Sequence, residues 1–285
     1  MQGGILPFQG QKAIANAPQP SPRGVAVLQA VRHRMQTLPP LQPGTLYLVA
    51  TPIGNLEDIT HRAVRTLREC DLVAAEDTRH TGQLLKHLGI SKPLISCFQH
   101  SETRRAPEMI ERLRSGGTIA YVTDAGTPGV SDPGERLVRM ILEAGLRVES
   151  VPGPCAALAA LTASGLPTAQ FHFTGFLPRK SGARRNQLSR LAAVPGTLVF
   201  YESPHRVEKL LVDLAALWPA TPVVLARELT KKFEQYLRGT ADQLRQQLAA
   251  GTVRGEFVVL VGEPRANSSL PAEADAEDAA QLDRD

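Results

Sequence analysis

Cysteine is scarce in this chain of 285 residues, and the three cysteines are Cys70, Cys97 and Cys155. They are odd in number and far apart, so the sequence predicts neither a disulfide framework nor a C-x-x-C metal site. The histidines do not have the spacing of metal ligands either, and we expect no bound metal. These shortages argue against disulfide-rich secreted domains and small zinc domains, and a reducing cytoplasm is the expected location.

Long apolar runs are also absent. The longest, residues 155–163, is rich in small residues and falls far short of the ~20 residues that a membrane-spanning helix needs, so it predicts a buried helix. No segment near the N-terminus resembles a signal peptide. We therefore expect no association with a membrane.

Two common nucleotide-binding motifs are missing as well. No Gly-Lys-Ser/Thr follows a glycine-rich loop, which argues against a P-loop. No G-x-G-x-x-G follows the first predicted strand, which disfavours a dinucleotide dehydrogenase.

Charge is present but unevenly distributed around a net value of +4. Residues 1–43 carry four cations and no acid. We expect a disordered extension there, and a transit peptide is the alternative interpretation. Within it, a short amphipathic helix is possible at 25–35. Residues 266–285 carry six acids against Arg284 and are expected to form a disordered acidic tail. The body between them is modestly basic, which permits a polyanionic partner without requiring one.

Apolar strands alternate with helical patterns through this body. The first half is predicted to have strands at 45–50, 71–75, 94–97, 118–123 and 147–151, and helices at 59–70, 80–88, 101–115, 133–145 and 154–164. Strict alternation predicts a mostly parallel sheet covered on both faces. The second half is predicted to have strands at 170–174, 196–201, 222–227, 233–238 and 256–262, and helices at 181–193, 203–217 and 240–250. The expected fold is α/β, with an N-terminal domain at 44–165 and, at 166–265, a mixed-sheet domain whose last two strands form an antiparallel edge.

Glycine-rich turns follow the predicted strands, and ligands of open α/β sheets bind beyond the carboxyl ends of strands. The turn after the first strand, 51–55, contains a proline and a glycine that would bring backbone close to a ligand. The most informative loop, 124–134, exposes backbone N–H and C=O groups after the fourth strand. Asp132 is expected to cap the following helix, with Pro133 in its first turn.

Three further segments carry side chains that are capable of chemistry. Glu76, Asp77, Thr78 and Arg79 end the second strand, either as a polar cluster that takes a proton or as a helix start capped by Asp77 or Thr78. Cys155 opens an alanine-rich helix, as a nucleophile or, more simply, as a packed apolar residue. His205 is a proton carrier or an ordinary polar residue of a helix.

The densest basic cluster, residues 179–190, follows three phenylalanines. Flexible cations contact phosphates, and nucleobases stack on aromatic rings, so the cluster fits an RNA surface. A solvated helix face is the alternative interpretation.

Taken together, the motifs of the body resemble a known family. In chain order they are TPIGNL, AEDTRHT, VTDAGTPGVSDPG, VPGPCA, SGLP, FTGFLPRK, FYESPHR, ARELTKKFE and GEFVVLVGE. Over residues 44–263 the chain resembles the ribosomal RNA small subunit methyltransferase I family of the tetrapyrrole methylase superfamily. The resemblance implies 2′-O-methylation of a decoding-region cytidine of 16S rRNA by S-adenosylmethionine (SAM), with SAM held between two α/β domains of a homodimer. It also implies 16S rRNA or the small ribosomal subunit as the partner.

The same resemblance, joined to the turns described above, assigns candidate residues. Those expected to contact SAM are Pro52, Asp124, Ala125, Gly126, Thr127, Pro152, Gly153, Tyr201, Arg227 and Glu228. The catalytic base is expected to be Asp77, followed as candidates by Glu76, Glu228 and a neutral Lys231. RNA is expected to contact Arg79, Arg179, Lys180, Arg184, Arg185, His205 and Arg206.

Two other functions are compatible with the same sequence. One is a SAM-dependent methylase of a tetrapyrrole or another small molecule, which the basic cluster disfavours. The other is a non-catalytic RNA-binding or assembly factor, which the polar strand ends disfavour because a pure binder needs no small-molecule cleft.

Overall fold

The computed structural model describes residues 39–249 and 253–264, and all of its helices and strands belong to the compact unit Leu41–Asp285. Nearly all of the predicted extension, its helix at 25–35 and the acidic tail therefore lie outside the described residues. The division into two domains at 165/166 remains a prediction. Within the described ranges, no helix is long and apolar enough to cross a membrane.

The first half of the body forms a five-stranded sheet. Its strands are β1 (Thr45–Val49), β2 (Leu72–Ala75), β3 (Leu94–Ser96), β4 (Ile119–Val122) and β5 (Arg147–Val151). Every pairing is parallel, in the order β3-β2-β4-β1-β5. The helices between them are α1 (His61–Glu69), α2 (Thr78–His87), α3 (Glu102–Arg114) and α4 (Glu135–Glu143). The predicted alternation and the parallel sheet are confirmed.

Alternate side chains of this sheet face two separate cores. Tyr47 and Val49 pack with Leu67 of α1 on one face. Leu46 packs with Met109 of α3 and with residues of α4 on the other face. Helices therefore cover both faces, as parallel sheets require.

The second half forms a mixed sheet. Its strands are β6 (Phe171–Phe176), β7 (Thr197–Glu202), β8 (Val223–Arg227), β9 (Gln235–Gly239) and β10 (Phe257–Val261). The order is β6-β7-β10-β8-β9, with β6 and β7 parallel and the other pairs antiparallel. The helices α6 (Ser181–Leu191), α7 (Val207–Leu217) and α8 (Ala241–Ala249) pack on one face. The mixed sheet is confirmed.

The last two strands, however, do not pair with each other as predicted. Strand β9 is the antiparallel edge, whereas β10 lies in the middle of the sheet between β7 and β8. All five residues of β10 are buried, whereas none of β9 is fully buried. The more apolar β10 therefore occupies the centre of the sheet, and the more polar β9 occupies its edge.

One helix joins the two sheets. The helix α5 (Ala156–Ser164) follows β5 of the first sheet, but Ala157, Ala160 and Leu161 pack against Val199 and Val258 of the second sheet. Small alanine side chains let the helix approach that sheet closely. The carboxyl ends of β4, β1 and β5 consequently lie beside the second sheet.

Candidate active site

Hydrogen bonds tie together the loops at the carboxyl ends of β1, β4 and β5. Thr51 N donates to Gly126 O at 2.9 Å, and Gly126 N donates back to Thr51 O at 3.0 Å. The Thr127 hydroxyl donates to Pro154 O at 3.0 Å. These three strands are neighbours in the sheet, so their loops meet at one edge and form a rigid wall.

Two glycines in these loops allow close packing of protein against protein. A Cβ on Gly153 would lie 2.9 Å from the Ala50 Cβ. A Cβ on Gly54 would lie 2.5 Å from Lys231 Cγ, in the loop after β8. The turn after β1 was predicted to approach a ligand; at Gly54 it approaches the second half of the chain.

A cavity of about 330 Å³ lies between this wall and the second sheet. The first half contributes Ile53, Cys155, Ala156 and residues 125–127 and 130–132. The second half contributes Phe176, Leu229 and residues 201–204 and 256–258. Ligand sites in proteins commonly have volumes of about 300–1,000 Å³ and mostly apolar walls with a few polar groups. The cavity therefore suits a small molecule held by both halves.

Asp132 lies in this cavity and does not cap a helix, which corrects the sequence-based expectation. Helix α4 begins at Glu135, with Gly134 at the N-cap position and a φ of 132° that favours glycine. Gly134 N donates to the buried Glu102 carboxylate at 2.6 Å. Because Glu102 satisfies this backbone donor, the Asp132 side chain is left to line the cavity.

The surroundings of Asp132 disfavour its ionised form. Burial, with a smaller contribution from the nearby Glu76 and Asp124 carboxylates, raises the pKa of its carboxyl to about 6, although an interaction with the Thr123 hydroxyl opposes the shift. The sequence offered no signal for this, since aspartate before proline and glycine is typical of a helix start.

Glu202 forms part of the opposite wall. Its side chain is fully buried, and its Oε1 accepts from Ser203 N at 2.8 Å and lies 3.1 Å from Arg206 Nε. Its Oε2 is buried and has no hydrogen-bond partner among the described residues. Burial raises the pKa of this carboxyl. Leaving a buried acceptor without a partner costs free energy. A ligand in the cavity that donates a hydrogen bond to Oε2 would remove this cost.

None of the four predicted bases is among the described residues that line the cavity. Asp77 instead caps α2, since its carboxylate accepts from Arg79 N at 2.8 Å, and it pairs with the Arg79 guanidinium at 3.0 Å. These hydrogen bonds lower the pKa of Asp77 to about 2, which makes it a poor proton acceptor. Glu76 accepts from Asp124 N at 3.3 Å, and burial raises its pKa.

Lys231 and Glu228 form an ion pair at 2.9 Å. Burial opposes the charge of Lys231, but hydrogen bonds to Glu228 and Glu256 outweigh it and raise the lysine pKa. The raised pKa favours the protonated form of Lys231, so the structure does not support a neutral Lys231 as the base. The hydrogen bond from Lys231 lowers the pKa of Glu228, whose backbone φ of 50° is unusual for a residue with a side chain.

Four of the ten residues predicted to hold a cofactor line the cavity: Ala125, Gly126, Thr127 and Tyr201. The other six lie outside its lining: Pro52, Asp124, Pro152, Gly153, Arg227 and Glu228. Among these, Pro52, Asp124 and Glu228 each precede a lining residue in the chain. Asp132 and Glu202 line the cavity but were not predicted as site residues. Phe176, one of the three phenylalanines predicted to adjoin an RNA surface, also lines the cavity, and its exposed ring meets Tyr201 edge to face at 5.8 Å.

The structure divides the predicted RNA-binding cations into two groups. Arg79, Arg179, Lys180, Arg185 and His205 are exposed. Arg184, by contrast, is buried, and its guanidinium pairs with Asp213 at 2.6 Å and also donates to Arg179 O and Lys209 O. Arg206 pairs with Glu202 and donates to Leu177 O at 2.6 Å. Arg184 and Arg206 thus hold the protein together, which corrects their predicted role as phosphate contacts.

The fold and the cavity together define an α/β protein with a cavity of small-molecule size between its two sheets, and comparisons with known proteins identify its class. Residues 45–245 match the model of a family described as tetrapyrrole (corrin/porphyrin) methylases. The chain therefore belongs to the tetrapyrrole methylase family, and within it to the ribosomal RNA small subunit methyltransferase I group.

Two curated relatives illustrate this membership, and two solved structures share the fold. "Ribosomal RNA small subunit methyltransferase I" of Xylella fastidiosa is 52% identical over 77% of this chain and 81% of its own. The protein of the same name from Pseudomonas aeruginosa is 47% identical over 82% and 85%. Diphthine synthase (TM-score 0.61, 15% identical) covers 78% of this chain and 91% of its own, and uroporphyrin-III-C-methyltransferase from Thermus thermophilus (TM-score 0.55, 24% identical) covers 77% and 94%. At these identities the two solved structures support the fold alone.

Proposed function

We propose that this protein transfers a methyl group from SAM to the 2′-oxygen of a cytidine in the decoding region of 16S rRNA. Membership of the methylase family supports the reaction class. The names of the relatives, at about half identity over most of the chain, support the small-subunit rRNA as substrate. The cytidine and its 2′-oxygen rest on the resemblance of the motifs.

The observation that carries the proposal is the cavity between the two sheets. The residues that line this cavity suit a SAM molecule. Residues 125–127 line the cavity. Gly126 has a φ of 84°, a conformation that favours glycine, so this part of the wall consists of backbone. The partnerless Glu202 Oε2 suits an amino or hydroxyl donor of the cofactor. We propose that SAM is bound by Ala125, Gly126, Thr127, Tyr201 and Glu202. When bound, SAM supplies an electrophilic methyl group on a sulfonium.

Exposed cations beside the cavity supply an RNA surface. Phe176 lines the cavity, and Arg179 and Lys180 follow it within four residues. Arg185 lies one turn into α6 with a side chain that is 48% exposed. We define the basic surface as Arg179, Lys180 and Arg185, and we propose that it holds phosphates while the exposed Phe176 ring faces the nucleotide. Arg79 and His205 are further exposed candidates.

A transfer assay tests the proposal. The protein is incubated with tritiated SAM and with either 16S rRNA or small subunits from cells that lack the gene. Sites of 2′-O-methylation are then mapped by resistance of the RNA to alkaline cleavage. We expect one protected cytidine in the decoding region. Label on a base or only on a small tetrapyrrole would overturn the proposal, and RNA binding without calorimetric binding of SAM would indicate a non-catalytic factor.

The resemblance also leads us to propose a homodimer that works in the cytoplasm, where its rRNA substrate is assembled. Light scattering of the purified protein at several concentrations tests the dimer, since a single species of about 31 kDa, the mass of one chain, would contradict it.

A further inference from the structure

We propose that Asp132 is the general base of the reaction, accepting the proton of the hydroxyl group that is methylated. The inference rests on the proposed function, and it assigns the role to a residue in the loop after β4 that sequence analysis took for a helix cap. The position of the Asp132 carboxylate, the rigidity of its loop and the charges around it support this role.

Position distinguishes Asp132 from the other acids. Among the described residues, three carboxylates line the cavity: Asp132, Glu202 and Glu256. Glu202 pairs with Arg206, and Glu256 pairs with Lys231 at 3.1 Å. Asp132 alone of the three has no ion pair, so no cation competes with a proton for its oxygens.

The loop holds Asp132 in place from both sides. Gly129 N donates to Pro133 O at 3.0 Å, and Gly134 N donates to Glu102. Ser131, immediately before Asp132, has a φ of 61° and packs against Gly175 of β6 so closely that a Cβ there would lie 2.5 Å from its hydroxyl oxygen. A positive φ outside glycine persists only where the surroundings enforce it. A base must be held within hydrogen-bond reach of the proton that it removes, and this loop provides such rigidity.

The charges around Asp132 favour proton uptake near neutral pH. Glu76 and Asp124 lie close enough on the first half to raise its pKa, and the Tyr121 and Tyr201 hydroxyls also interact with it. The pKa of both tyrosines is raised by burial, so both remain neutral. Asp132 is therefore ionised at pH 7 to 8 yet more basic than an exposed aspartate, as an efficient base must be.

The proposed step transfers one methyl group and one proton. The hydroxyl oxygen forms a bond to the methyl carbon while the bond from that carbon to sulfur breaks, and the electron pair stays on sulfur as a neutral thioether. The hydroxyl proton passes to the Asp132 carboxylate, which later loses it to water.

Asp132→Asn tests the assignment, because asparagine keeps the size of the side chain and removes its basicity. At saturating SAM and RNA we expect single-turnover methyl transfer to fall by about 10²- to 10⁴-fold, the usual contribution of a general base. Binding of S-adenosylhomocysteine and of RNA, measured separately, should change by less than about threefold. Glu135→Gln is the matched control, since Glu135 is exposed three residues away and pairs with Arg139; its rate should equal that of the parent.

A titration gives a readout that does not depend on activity. In protein labelled with ¹³C at aspartate carboxyls, one NMR signal should titrate near pH 6, vanish in Asp132→Asn and persist in Glu135→Gln. The parent's transfer rate should rise tenfold per pH unit below that pKa and level off above it.

Asp132→Glu keeps the charge and moves it by one methylene, so we expect a reduced rate whose pH dependence bends at a different pH. An unchanged rate in Asp132→Asn, or an unchanged pH profile in Asp132→Glu, would overturn the assignment. Loss of cofactor binding in Asp132→Asn would overturn it too, as a binding role. Absence of RNA methylation by the parent would instead count against the proposed function.

Discussion

The Arg184 guanidinium donates a hydrogen bond from Nε to the Asp213 carboxylate at 2.8 Å, and both side chains are almost completely buried. Asp213 also accepts from the Ser181 hydroxyl at 3.0 Å. The pair joins the start of α6 to the middle of α7, directly beneath the exposed cations of the basic surface. It therefore shapes that surface without contributing charge to it.

Replacing Arg184 should destabilise the fold. In Arg184→Met the Asp213 carboxylate would be buried without its partner, and such a loss costs about 3–5 kcal/mol. Arg185→Ala is the control, because Arg185 is half exposed and 3.9 Å from Asp213, so it should cost less than about 1 kcal/mol. Urea unfolding monitored by circular dichroism measures both. Equal stabilities of the two variants would contradict the structural role of Arg184.

Replacing the basic surface should weaken RNA binding and leave the cofactor alone. Each lost phosphate contact should reduce the slope of log affinity against log salt by about 0.7 for single-stranded RNA. The triple change of Arg179, Lys180 and Arg185 to alanine should therefore flatten the slope by up to about 2 and leave SAM affinity unchanged. Arg139→Ala removes an exposed cation that already pairs with Glu135 and should leave the slope as it was. A parental slope in the triple variant would mean that these cations only face solvent.

Gly126 should be required for cofactor binding. A Cβ there would lie 3.2 Å from Ile53 Cγ2, at the wall of the cavity, and the φ of 84° strains any side chain. Gly145→Ala separates the two effects, because Gly145 has a φ of 73° with open space around it. Both variants should lose about 1–2 kcal/mol of stability from backbone strain. Only Gly126→Ala should weaken SAM binding by calorimetry, and Gly126→Val should do so more strongly; equal SAM affinities in the alanine variants would place the cofactor elsewhere.

The Asp132 carboxyl should make stability depend on pH. Its pKa is raised from 3.8 to about 6 in the folded protein, so the unfolded chain gives up this proton first. Stability should therefore fall as pH rises from about 4 to about 6, and Asp132→Asn should remove that loss. At pH 7 the variant should be more stable by up to about 3 kcal/mol, since one pKa unit is about 1.4 kcal/mol. Thermal unfolding at pH 4 and pH 7 checks the sign: a variant equally stable to the parent at both values would mean that Asp132 titrates normally.

Removing the N-terminal extension should leave the folded body intact. The composition of residues 1–38 cannot supply a core, whereas Leu41 packs against the first sheet and Gln42 N donates to the Tyr47 hydroxyl at 2.7 Å. A chain that begins at Pro39 should unfold at the parental temperature and retain transfer activity. A chain that begins at Gly44 should lose a small part of the stability, about 1–2 kcal/mol, because it lacks those two contacts. A large loss in the chain that begins at Pro39 would show that the extension packs on the body.

Local patterns were sufficient for much of the fold, and particular residues show where they failed. The alternation of apolar strands with helices predicted that the strands of the first sheet run parallel. Each crossover helix brings the chain back to the end of the sheet where the previous strand began, so the next strand runs in the same direction. The central place of β10 was missed, since strand order depends on pairing between distant segments. Arg184 and Arg185 are adjacent in sequence and equally basic, yet one is buried and the other exposed, because helix periodicity turns them to different sides.

The sequence by itself determined the family, the type of each half and the loops at the strand ends that form a site, because motifs and periodicity are properties of the chain. Only the tertiary structure decided which acid faces the cavity. Asp77 and Asp132 both precede a helix. The Asp77 carboxylate caps its helix and pairs with Arg79. At the other helix, Glu102 of α3 accepts from Gly134 N, so Asp132 lines the cavity instead. Burial and neighbouring charge act through space, so a pKa is set by residues that are far apart in the sequence.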